Sequence, residues 1–91
     1  MTKKVVLTAK LDSAAAIALR DQFLESKDDD IALDGSNVEY LGGLCLELMM
    51  SARHLWTSAG KSFSLTDPSQ KLLDDLGRFG LSQDTFAGGA A

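Results

Sequence analysis

Short apolar runs alternate along this chain with longer stretches whose apolar residues return every three or four positions, and the alternation predicts the order of elements. Val5, Val6 and Leu7 are apolar and β-prone, and they mark a strand predicted over residues 3–11. Asp12 and Ser13 then offer N-cap chemistry. Over residues 13–26, Ala16, Ile17, Leu19, Phe23 and Leu24 share one broad helical face on which Arg20 is the single intruder. The stem of Arg20 can lie along apolar surface while its head reaches water. Lys27, Asp28, Asp29 and Asp30 end the helix in a solvated loop, since like charges at the negative end of a helix dipole are unfavourable. Ile31, Ala32 and Leu33 form a continuous apolar run that suits a strand buried on both faces, as strands of parallel sheets are.

Residues 34–42 read as a strand end and a turn, and a second helix is predicted over residues 43–58. At 100° per residue, Leu44, Cys45, Leu48, Met49, Ala52, Leu55 and Trp56 gather as its core face, and Glu47, Ser51, His54 and Ser58 form a polar stripe opposite. Gly60 and Lys61 turn the chain, and period two returns over residues 62–66 with Phe63 and Leu65 on one face. Asp67 is expected to cap a third helix with Pro68 at its first position. Its apolar stripe of Leu72, Leu73, Leu76 and Phe79 stops at Gly80. Leu81 and Phe86 are expected to fold back on the core, and residues 87–91 to be a disordered tail. The order strand, helix, strand, helix, strand, helix predicts one α/β domain over residues 1–86, a small mixed or mostly parallel sheet with helices packed on it.

Composition narrows the function more than the fold. Ninety-one residues at 45% hydrophobic content suffice for one core. A net charge of −4 and a basic cluster no larger than Lys3, Lys4 and Lys10 exclude sequence-independent nucleic-acid binding. The apolar stretch after Lys4 is too short for a signal peptide, and no run suits a membrane helix, so a cytoplasmic protein is expected. Cys45 and His54 are the sole thiol and imidazole; nine residues apart on one helix, they face nearly opposite ways and stand roughly 13 Å apart along its axis. That separation rules them out as a nucleophile and base, and a lone His has no partners for zinc. Gly42 and Gly43 could offer amides to an anion, but no Lys or Ser completes a nucleotide loop. The expectation is a non-enzymatic protein without metal or cofactor.

What remains is a surface. Leu46 and Met50 project beside the polar stripe, with Gly43, Arg53 and Thr57 near them. An apolar patch edged by Glu47, Arg53 and His54 would resemble an interface core with a polar rim, and Met adapts well to a partner. With the preceding loop, the expected contact set is Ser36, Tyr40, Gly42, Gly43, Leu46, Glu47, Met50, Arg53 and His54.

Four pieces in order extend this reading: Leu11 and Asp12 before an Ala-rich helix; Leu33, Asp34, Gly35 and Ser36 followed by Val38 and Leu41; Leu46, Glu47 and Leu48; and Asp67, Pro68 and Ser69. Together they resemble the STAS domain, the fold of bacterial anti-sigma factor antagonists and related regulatory modules. The resemblance implies signal transduction through protein contact, with an anti-sigma kinase-like factor or another signalling component as partner, and a role in transcription regulation. It also implies an alternative, since some small STAS proteins are accessory subunits that brace the ATPase of lipid-transport ABC complexes. In the family the residue matching Leu41 is followed by Asp, then Ser or Thr, a small residue and Gly; here those places hold Gly42, Gly43, Leu44 and Cys45. No phosphoacceptor stands at the usual site, and Ser36 and Ser51 are the substitutes the sequence offers.

Overall fold

The computed structural model describes residues 2–86. Strands β1 (Thr2–Val6), β3 (Asp30–Asp34) and β5 (Phe63–Thr66) form an all-parallel sheet in the order β1-β3-β5. Helices α1 (Ser13–Glu25) and α2 (Gly43–Ser58) fill the two crossovers, and α3 (Gln70–Arg78) follows the last strand. Because strand order advances in one direction, right-handed crossovers put α1 and α2 on the same face. They pack against each other there. Ile31 and Leu33 in the central strand are fully buried beneath the helices, but Ala32 on the opposite face is only half-buried beside exposed Lys4, so the strand is covered on one face and not on both as the continuous apolar run predicted. Phe23 of α1, Trp56 of α2 and Phe63 of β5 lock the layers at ring-centroid separations of 5.7 to 6.0 Å.

The predicted first strand is in fact two. After β1 the chain leaves the sheet, and Lys10–Leu11 (β2) pairs in parallel with Tyr40–Leu41 (β4) as a separate ribbon. Two-residue strands carry no readable period, so β4 lay inside the predicted turn. This ribbon feeds both helices: Leu11 leads through Asp12 into α1, and Leu41 leads through Gly42 into α2. The α1 cap is the predicted one, with the Asp12 carboxylate accepting the Ala15 amide at 3.0 Å.

The third helix starts later than predicted. Ser69, not Asp67, is the cap, its hydroxyl accepting the Leu72 amide at 3.0 Å and donating to the Val38 carbonyl at 2.6 Å. Asp67 instead takes a left-handed φ of 47° to turn out of β5. Phe86 is buried at the end of a 3₁₀ turn (Gln83–Phe86), and Gln83 donates to the Leu65 carbonyl at 3.2 Å. The turn therefore covers the edge of β5. The Asp28 to Asp30 loop is less solvated than expected, because Asp29 and Asp30 are half-buried. The Asp29 carbonyl accepts the Trp56 indole N–H at 2.7 Å, and the Asp30 carboxylate accepts the Ser62 amide at 2.9 Å. The expected disorder of residues 87–91 falls outside the described residues.

Candidate functional site

The N-terminus of α2 is set by the ribbon. The Gly42 amide donates to the Leu11 carbonyl at 2.9 Å, and the Cys45 thiol to the Asp12 carbonyl at 3.3 Å, so the starts of α1 and α2 lie side by side. Gly42 occupies the cap position of α2 in extended backbone and provides no side-chain cap. Its α-carbon is crowded: a methyl group there would stand 3.1 Å from the Leu11 carbonyl oxygen and 3.3 Å from the Tyr40 ring. A methyl group on Gly43 would meet nothing within 4 Å. Of the two places where the resemblance expects Asp and then a hydroxyl, the first is tight against the Leu11 carbonyl and Tyr40 and the second stands open.

Along the helix, Gly43, Glu47, Met50 and His54 are all exposed, and their spacing of four, three and four residues stacks them in one stripe. Met50 is 40% exposed and Tyr40 46%. Arg53 is half-buried beside them. These residues and Gly42 form one continuous surface. One member of the predicted set, Leu46, does not join it as expected.

Leu46 is only 5% exposed and belongs to the core, whereas Leu44 and Leu55, placed on the core face by the wheel, are 53% and 64% exposed. The buried face is Cys45, Leu46, Met49, Ala52 and Trp56. The wheel centred the core on the middle of the apolar arc, but that arc is wider than the surface the sheet and α1 can cover, and its Leu44 and Leu55 side stays outside. Ser36, although exposed, is held by a turn in which the Asp34 carboxylate accepts its amide at 3.0 Å. That turn is tied to α3 through the Ser69 amide and Gly35 carbonyl, at 3.0 Å.

Cys45, one turn into α2, is fully buried, and burial pushes its thiol pKa up, with the Asp12 charge raising it further. Buried Cys45 and exposed His54 cannot act on one substrate. Among the described residues, no group of three or more His, Cys, Asp or Glu side chains is placed to hold a metal. No helix among them is long and apolar enough to cross a membrane.

Behind this surface stands a residue that sequence reasoning passed over. Asp75 of α3 has no exposed surface and accepts the Leu41 amide at 2.9 Å, fixing the last residue of the ribbon before Gly42. Lys71 and Arg78 approach its other oxygen at 3.2 Å and 2.6 Å. The signal was present: at helical spacing Asp75 shares the face of Leu72 and Leu76, and cations stand four residues before it and three after.

A protein-family model described as Mlab, STAS domain matches residues 2–86. No curated protein and no solved structure matches the chain.

Proposed function

The chain belongs to the STAS domain family, and from that membership we propose that it is a non-enzymatic module that docks a regulatory protein through the start and exposed stripe of α2. The observation that carries this reading is the stripe itself. Met50, in the middle of α2, offers an adaptable apolar contact within a polar rim of Glu47, Arg53 and His54, on a helix whose start is left without a side-chain cap. Tyr40, packed against Gly42, extends the surface toward the ribbon. The partner is a signalling component, such as an anti-sigma kinase-like factor, and the setting is the cytoplasm of a bacterium.

The glycine at position 43 favours a second reading. A switch built on phosphate needs a hydroxyl at the interface, and a surface without one holds its partner in a single state. Such a surface also suits a permanently docked accessory subunit of an ABC-transporter ATPase. Affinity capture of the full chain and of Met50→Asp from native cells separates the possibilities. A soluble kinase-like protein retained by the wild type and lost by the variant supports the first reading, and an ATPase with that behaviour supports the second. Equal retention of every partner by Met50→Asp would exclude this surface. Incubation with serine kinases and intact-mass measurement completes the test, with no phosphate expected on Ser36 or Ser51.

A further inference from the structure

Ile17 and Leu24 on α1, and Leu44 and Leu55 on α2, are each more than half exposed. Single exposed leucines are ordinary, but these border two adjoining hollows between the two helices, which share Arg20 and Leu48 and together make a trough. One end, beside Leu24 and Leu55, has a volume of about 280 Å³; the other, beside Ile17 and Leu44, about 310 Å³. Leu48 and Arg20 line both ends, so Arg20 stands at the middle. The sole intruder on the α1 face thus marks the centre of an open apolar surface.

We infer that this trough docks an amphipathic helix of a different protein, with apolar residues at three- and four-residue spacing and one carboxylate at the middle of its apolar face. The shape argues for a helix. Leu44 and Leu55 are eleven residues apart on α2, about 16 Å, which three turns of a guest helix would cover. A groove between two packed helices receives the side-chain ridge of a third.

Charge selects the guest. The charged side chains lining the trough are Arg20 and Lys27, both cationic, in a chain whose net charge is −4. Arg20 lies 3.7 Å from the Asp21 carboxylate, but both are well exposed and such a pair holds weakly. Asp21 itself does not line the trough. A second copy is the poorer occupant: a two-fold axis through the middle would set Arg20 against Arg20 with no lining carboxylate to separate them. A guest carboxylate there draws Arg20 from its weak pair with Asp21 and fixes the register of the helix.

This inference does not rest on the proposed function, because the trough lies on a different flank of α2 from Met50. The test places a photo-crosslinking residue in the full chain, as Leu55→p-benzoylphenylalanine and separately at Ile17, in native cells. Both sites are exposed, so unchanged melting is expected of both variants. The expected adduct maps to a helix-forming segment of another protein with the stated spacing and a central Asp or Glu. It persists when Met50→Asp is added. A synthetic peptide of that segment should bind the purified chain, lose about tenfold in affinity to Arg20→Glu, and recover when its carboxylate is changed to Lys. Adducts joining two copies of this chain, adducts to lipid alone, a segment without a carboxylate, a peptide indifferent to Arg20→Glu, or no adduct from either position would each overturn the inference.

Discussion

Asp75 is a carboxylate with no access to water, on a short helix whose other buried residues are leucines. Burial acts to raise its pKa, but the Leu41 amide, Lys71 and Arg78 outweigh that and hold the carboxyl below its ordinary 3.8. Asp75→Ala would leave the Leu41 amide buried without its acceptor, at a cost of about 1–3 kcal/mol in chemical denaturation. Asp75→Asn keeps an oxygen for that amide and gives up only attraction to two largely exposed cations, so it should cost less. Equal losses would assign the stabilisation to the ion pairs. Gly43 supplies the opposite case. With nothing within 4 Å, Gly43→Ser should melt no lower than the parent and should restore a hydroxyl at the family's usual acceptor place. Intact-mass measurement after kinase treatment should then show one added phosphate on the variant; an unmodified variant would mean that the crowded Gly42 position is also required.

At the scale of the element, α2 shows how a correct helix can carry an incorrectly aimed face. Its span was legible in the sequence because Gly42 and Gly43 open it and Gly60, at a φ of +78°, closes the turn after it. Its orientation was not, since a wheel treats every apolar residue as a vote for the interior. Leu44 and Leu55 voted for a side that neither the sheet nor α1 covers, and so Leu46 was placed outside. Replacement separates the two roles. Leu46→Ala should cost about 2–5 kcal/mol, as for other buried leucines, and Leu46→Asp should prevent folding. Met50→Asp should leave the thermal midpoint nearly unchanged. A thermal shift as large for Met50→Asp as for Leu46→Ala would return Met50 to the core and remove it from the contact stripe.

At the scale of the whole molecule, the parallel sheet followed from the alternation of elements and from the unbroken apolar run at β3, both of which the sequence displays openly. The links between distant segments did not, because helical spacing pairs Asp75 with Lys71 and Arg78 but names no amide in another segment. Asp34 is one: buried at the end of β3, it accepts the Ser36 amide at 3.0 Å and faces Lys4 of β1 at 3.3 Å. The Ser36 amide is the main cause that lowers its pKa below 3.8, with the Ser36 side chain and Lys4 adding to it against the opposing effect of burial. Asp75 is another, joining α3 to the ribbon. Both carboxyls bind protons more weakly in the folded than in the unfolded chain. Their stabilising contribution is therefore complete above the unfolded value of 3.8 and fades as pH falls through the lower folded values. Thermal melts followed by the fluorescence of Trp56, which sits in the aromatic cluster between the layers, should fall steeply across that acidic window. In Asp75→Asn the fall should be shallower, since one of the two coupled protons is gone, and the curves of parent and variant should converge at the acid end. Parallel curves would mean that Asp75 titrates alike in both states, and that the bond to Leu41 holds the ribbon without its charge.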